Sequence, residues 1–553
     1  MTAYLIRGTM LFVVRISTAL AFALAAVAAL AQNSPQTPRI SVSTHLVQIG
    51  IVVRDANGPV GNLTKDDFVV LERGKPQKIS VFSVESSDSG PQSAQRLPQN
   101  TFSDLPQYGT NKPRSVTIVL LDNLNTLSGS APQNYETTPY WLEDHALANA
   151  KQHLIEFLKQ LNLDDRIAIY SLTDSLHVLC DFTCDRAQLL AVVGKYDPTS
   201  KTHREAVEPG EFHTPVPGKE FNALMGADAQ NLATLNNQVR AQTTMAALIA
   251  IGAHVADIPE RKNLLWLTAN LPFSGEAIAR ILGRANIAAY PVDARGLLPR
   301  TPSTSTEGMA VNNASLRGAL GLGDSPAQSD QPVGIEAMEK MADETGGRAF
   351  VNTNDLTGAI RKAVEDSAAT YTLGFYIDSS SLDDKFHELK VQVNRPGLNI
   401  RYPKGYFALK DTLVTQDDRH NSLLAAIKSP LDSSAIPLEV KVDRVNQPSP
   451  GSLSLFGSIG IHDLPLAQSG ETRVGALDIS VIEQDQSGKV LRESANRINL
   501  RFTEKQYPEV LKSGVTFRKS VQPQAGVTIL RVLVQDVSTG AVGSLVIPLT
   551  QLK

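Results

Sequence analysis

The sequence predicts an α/β unit built on a mostly parallel sheet, set between β-rich stretches and followed by a β-sandwich. Three observations carry this expectation. Val116 to Leu121 is an unbroken apolar run rich in β-branched residues, with none of the alternation of a half-exposed strand, as burial on both faces requires. From Arg114 to Ala368 strand and helix patterns alternate, which calls for parallel pairing through crossover helices. On either side of that region, and again from residue 435, the apolar period falls to two.

The run at Val116 ends in Asp122, Asn123, Asn125 and Thr126, which places polar side chains at the carboxyl end of a central strand, where open α/β sheets carry their ligand sites. Behind it, Leu147, Ala150, Leu154, Phe157, Leu158 and Leu161 recur at helical spacing up to Asn162. Arg166 to Leu172 and Leu176 to Phe182 read as strands, Arg186 to Val193 and Thr243 to Asp257 as helices, and Asn263 to Thr268 as another buried strand. Gly275 to Gly283 is a helix pattern and Asn286 to Val292 a strand; helices at Ile335 to Thr345 and Leu356 to Ala368 bracket a short strand, Arg348 to Val351. Two polar insertions interrupt the series, about 197–238 and 294–334. Long loops inside a compact domain serve binding or are tolerated at an exposed edge, and both readings stand.

A β module is expected over 39–88, where VSTHLVQIGIVVRD alternates and FVVLERGKPQKISVFSVE reads as two strands turning at Arg73-Gly74-Lys75. Residues 89–113 shift to Ser, Gln, Pro and Asn and read as a linker before the α/β unit at 114–369. YTLGFYID, FHELKVQVN and LNIRYPKGYFAL restore period two over 370–410, and this extension is expected to pair with the 39–88 module in one sheet domain into which the α/β unit is inserted. Gln416 to Ser429 reads as a helical link, and the strand-like runs of 435–553 as an immunoglobulin-like sandwich.

The first 31 residues read as a signal peptide. Arg7 and Arg15 precede an apolar run, Ile16 to Leu30, that closes on Ala29-Leu30-Ala31 before Gln32. The run is shorter than the roughly 20 residues needed to cross a bilayer, so cleavage leaves an exported chain with no integral span, periplasmic, surface-bound or secreted. The chain has 553 residues and a formal charge of 52 − 56 = −4. That balance implies no basic surface for nucleic acid. Cys180 and Cys184, the two cysteines, are too few for a zinc site and too widely spaced for a redox CxxC. Export permits a disulfide between them, while two buried thiols would read the same way.

These segments resemble a known family. VTIVLLDNLNT, DDRIAIYSLTDSLHVLCDF and RKNLLWLT look like the first four strands of a von Willebrand factor A domain, which implies a Rossmann-like sheet with helices on both faces. LVQIGIVVRDANGPVGNLTKDDFVVLERGKPQKISVF and KFHELKVQVNRPGLNIRYPKGYF resemble the stretches flanking that domain in the VWFA-related proteins of acidobacteria. Such domains usually hold a divalent ion, Mg²⁺ or Ca²⁺, through Asp-x-Ser-x-Ser, a Thr on a second loop and an Asp on a third. Laid on this chain, the first Asp is Asp122, Leu124 takes the middle position and Thr126 keeps a hydroxyl; Thr243 or Thr244 stands for the second loop, and Ala269 takes the acidic position of the third. The metal candidates are therefore Asp122, Asn125, Thr126 and Thr243, with Asn125 and Asn270 as neutral substitutes. A hard cation is poorly held by a single charged ligand. The opposing reading makes Asp122, Asn125 and Thr126 hydrogen-bonding caps of a loop and helix.

The sequence holds no GxSxG, HExxH or P-loop, and GALGLGD at Gly318 to Asp324 lies in an insertion rather than after a strand. Two function classes follow. The first is an exported, non-enzymatic protein that binds another protein for adhesion or scaffolding in the cell envelope. The alternative is metal-dependent adhesion, or an enzyme-associated subunit, using the strand-end pocket at Asp122.

Overall fold

The computed structural model describes residues 44–56, 58–86, 97–104, 116–126, 140–160, 166–197, 238–258, 261–272, 275–297, 334–366, 369–378, 381–408, 414–445, 451–462 and 464–552. The signal peptide, nearly all of both insertions and most of the linker lie outside the described residues. Leu46–Lys553 forms one compact unit.

Within it, β6 (Val116–Asp122) is the middle strand of a five-stranded sheet. It pairs in parallel with β7 (Arg166–Leu172) on one side and β9 (Lys262–Thr268) on the other, and β10 (Ile287–Asp293) extends the sheet in parallel from β9. Every residue of β6 is buried, because helices cover both faces. Val119 and Leu121 face a core shared with the helices Tyr140–Lys159, Arg186–Lys195 and Leu356–Glu365. Ile118 and Leu120 face another, closed by the helix at 238–254 and the helices Gly275–Arg284 and Ile335–Thr345.

The sheet differs from the expected series at two places. β8 (Leu176–Cys180) runs antiparallel to β7, since three residues, Thr173-Asp174-Ser175, leave no room for a crossover. The strand expected at Arg348 to Val351 is reduced to one parallel bridge, Phe350 to Val292. Gly347 explains the close approach there, for a Cβ on it would lie 1.8 Å from the Ala289 carbonyl oxygen of β10.

The strands before and after this unit interleave. β1 (Thr44–Arg54) and β4 (Val81–Ser86) share one sheet with β11 (Ala369–Asp378) and β13 (Asn399–Arg401). β2 (Phe68–Glu72) and β3 (Lys75–Gln77) share another with β12 (Phe386–Val393) and β14 (Gly405–Phe407), and Ile51, Phe68, Tyr371, Phe375 and Val391 fill the space between the two. Ser86 lies opposite Ala369, so the chain leaves and re-enters this domain at one point. The run read as one strand after Arg73-Gly74-Lys75 is two strands, β3 staying beside β2 while β4 crosses to the opposite sheet.

Beyond the helix Gln416–Lys428 stands a second pair of sheets around its own aliphatic core. One contains β15 (Leu438–Val445), β16 (Ser452–Ile459) and β20 (Val515–Val521). The other contains β17 (Ala467–Ser469), β18 (Thr472–Gln484), β19 (Val490–Thr503), β21 (Ile529–Asp536) and β22 (Val542–Pro548). Within the segment read as a linker, Thr101–Ser103 forms β5 and pairs with β15 at the edge of this sandwich. Three residues are too short for period two to show.

Candidate functional site

The strand-end residues converge on Asp122. The chain turns directly from β6 into a four-residue helix, Asn123–Thr126, whose side chains are all buried. Asp122 Oδ1 accepts the Asn125 backbone N–H at 2.9 Å and the Asn125 amide at 3.1 Å. Its Oδ2 accepts the same amide at 2.9 Å and the indole N–H of Trp266, from the neighbouring strand β9, at 2.8 Å. Both carboxylate oxygens therefore face N–H donors. Burial raises the Asp122 carboxyl above its ordinary range, and the amide, backbone, indole and Thr268 donors offset only part of that cost.

A second layer holds Asn125 in place. Its amide also donates to Thr244 Oγ1 at 2.9 Å, and Thr244 in turn donates to the Arg240 carbonyl on the same helix. Arg240 Nη2 donates to Asn125 Oδ1 at 3.4 Å, which brings a guanidinium beside the buried acid. Thr244 is fully buried, whereas Thr243 is half-buried and outside these bonds. The second-loop position is therefore Thr244, a correction that follows from helix phase, since adjacent residues lie about 100° apart. Thr126 Oγ1 accepts the Ala269 N–H at 3.0 Å, and Asn270 Oδ1 turns back to the Leu271 N–H at 2.8 Å. Leu124 is core, packed in the same cluster as Trp266.

A hard divalent ion needs six or more oxygen ligands at about 2.0–2.6 Å, with charge among them. Here the one carboxylate is engaged by an indole and an amide, and Thr126 and Asn270 are bonded to backbone N–H groups. Among the described residues no group of three or more His, Cys, Asp or Glu side chains is placed to hold a metal. This donor set does not fit the ion. Trp266 is the partner that sequence reading missed. Its signal was a single indole in an aliphatic buried strand, because a buried indole N–H needs an acceptor.

A second polar cluster joins the α/β unit to the C-terminal sandwich. Cys180 and Cys184 are bonded to each other, and the turn between them presents Asp181. Asp181 accepts from the Tyr170 hydroxyl at 2.9 Å and lies 3.2 Å from His254 Nε2, while His254 Nδ1 contacts the Asp432 carbonyl at 2.7 Å. Burial works against the His254 charge, yet Asp181 and Asp432 hold its pKa above the ordinary value. Burial pushes Asp432 up to about 6 against the pull of Arg531 and His254. His254 carries no local sequence signal, since its partners are 73 and 178 residues away.

No family model and no curated protein matches the chain. Among solved structures it is similar to a von Willebrand factor type A protein from Catenulispora acidiphila, at 10% identity over 64% of this chain and 80% of that one, with a TM-score of 0.25. It is also similar to an aerotolerance-related membrane protein from Bacteroides fragilis, at 12% identity over 45% and 98%, TM-score 0.25. A third is proximal thread matrix protein 1 of the mussel byssus with a zinc-occupied MIDAS motif, at 9% identity over 50% of each chain, TM-score 0.25. At these scores the likenesses carry no inference about this chain.

Proposed function

We propose that this is an exported, non-enzymatic protein of the von Willebrand factor A type that binds another protein through the loops at the carboxyl end of its Rossmann-like sheet, without a bound metal. The observation that carries this reading is the closed hydrogen bonding of Asp122 with Asn125 and Trp266. A carboxylate held this way organises the loop ends and leaves no open coordination position for a partner's acid. The sequence resemblance of VTIVLLDNLNT and its flanks supports the family, and the short charged, apolar leader supports export. The sandwich on β15 to β22 then serves as spacer and second contact surface, a role common to such modules.

Cross-linking and mass spectrometry of the protein in its own envelope tests the reading. Cross-links from residues following β6, β9 and β10 to one recurrent partner are expected, unchanged when the cells are treated with EDTA. A partner contacted only through the sandwich, or lost on chelation, would overturn it.

A further inference from the structure

We propose that a cleft at the seam of the N-terminal β domain and the α/β unit binds a small dianionic oxyanion, a phosphate monoester or inorganic phosphate. The cleft has a volume of about 230 Å³, and its lining includes Arg54, Asp55, Arg348, Lys362, Asp366, Asn399 and Arg401. Its four cations face two carboxylates, an excess of 4 − 2 = 2 positive charges, in a chain whose net charge is −4.

Asp366 is the organising group. It is 2% exposed and accepts from Arg54 Nη1 at 3.0 Å, from Arg401 Nη1, and from the Tyr290 hydroxyl at 3.1 Å. Behind Tyr290 lies the buried Arg261, which donates to Tyr290, to the Gly50 carbonyl of β1 and to the Gly346 carbonyl. Glu365, its side chain 44% exposed, takes the other end of Arg54 at 3.2 Å, and counting it with the lining carboxylates leaves 4 − 3 = 1 positive charge in excess at the cleft. An ion-pair network holding the two domains together accounts for Arg54, Arg401 and Asp366. It does not account for Arg348 and Lys362, which are exposed, point to the same cleft and form no ion pair among the described residues. Like charges gathered in excess of their counter-charges raise one another's energy, and an entering dianion relieves that repulsion. Arginine forks held in place by a carboxylate match the tetrahedral oxygens of phosphate, and the lysine supplies a mobile point charge. The volume leaves room for a small organic group beside the phosphate.

The test is isothermal titration calorimetry of the full chain with inorganic phosphate at constant ionic strength, repeated with glycerol 3-phosphate and with glycerol. Saturable 1:1 binding of both phosphates and none of glycerol is expected. In R348A/K362A the affinity is expected to fall by about tenfold or more, because two charge-assisted contacts are removed. Both residues are exposed and in no ion pair among the described residues, Arg348 lying over the Phe350 ring at 5.3 Å, and an unchanged melting temperature in phosphate-free buffer verifies that the variant keeps its fold. Absence of saturable binding, or equal affinity in the double variant, overturns the proposal. Neither result bears on protein binding at the Asp122 end, which shares no residue with this cleft.

Discussion

Trp266→Ala is expected to destabilise the α/β unit by about 3–5 kcal/mol, and by the same amount in EDTA as in millimolar Mg²⁺. The indole is fully buried in β9 and belongs with Leu124, Tyr170 and Leu248 to one of the two helix-facing cores. Its removal opens a cavity and also leaves Asp122 Oδ2 with one donor fewer in a place water does not reach. Trp266→Phe separates the two effects. It keeps most of the ring volume and deletes the N–H, and its cost is expected at about 1–3 kcal/mol, the penalty of an unsatisfied buried acceptor. Chemical denaturation followed by circular dichroism checks both. A Trp266→Phe variant as stable as the parent would show that the indole bond does not hold the carboxylate.

A second large effect is expected at the junction with the sandwich, where stability falls as pH rises. Asp104, just after β5, accepts the Leu438 N–H at 2.7 Å on Oδ1, while its Oδ2 is shut off from solvent without a hydrogen-bond partner. Burial, with the charges of Asp432 and Asp257 adding to it, pushes the Asp104 carboxyl up to about 9. A carboxyl whose folded pKa lies above its unfolded value, about 3.9, binds a proton in the folded state that the unfolded chain has lost. Its contribution to stability is therefore full in acid and declines as pH climbs towards 9. Asp432, at about 6, adds to the same decline between roughly pH 4 and 6. His254, with its pKa raised, acts in the same direction, its contribution being present below about 6.5 and lost as pH rises through the folded value. Asp181 is held low by His254 despite its burial and opposes this only at strongly acid pH. Asp104→Asn removes the titration while keeping the acceptor for Leu438. It is expected to stabilise the protein by about 1–3 kcal/mol more at pH 8.5 than at pH 5, where the decline has only begun. Thermal scans from pH 5 to 9 decide it, and parallel curves for parent and variant would contradict the assignment of the charge to Asp104.

The parts of the fold legible in the sequence are those set by local pattern. The apolar run of β6, the helical spacing of Leu147 to Phe157 and the start of the helix at Leu356 all stand where the periodicity put them, because period and capping are properties of a few adjacent residues. Asp355, for instance, caps that last helix through the Gly358 N–H at 2.8 Å. What was not legible depends on distant residues. β5 takes its partner from residues more than 330 positions later, β8 reverses direction because of the length of its turn, and β3 and β4 part company in the middle of one alternating run. At the site the same division holds. Asp122, Asn125 and Thr126 were recognisable from their place at a strand end, and their mutual bonding is local. Trp266 meets them only through strand order, 144 residues away in the chain, and helix phase selects Thr244 over Thr243, the two residues that the sequence offered for the second loop.

The most direct measurement is the melting temperature of the metal-stripped protein, recorded in EDTA and then with 1 mM Mg²⁺, Ca²⁺, Mn²⁺ or Zn²⁺. A folded-state ligand stabilises by RT ln(1 + [L]/Kd), which for a Kd above 10 mM is less than about 0.1 kcal/mol at this concentration. No shift is therefore expected with any ion, in the parent or in Asp122→Ala, whose own loss of stability is the same with and without EDTA. A rise of several degrees with one of the ions that disappears in Asp122→Ala would contradict the closed pocket and assign metal binding to the strand end.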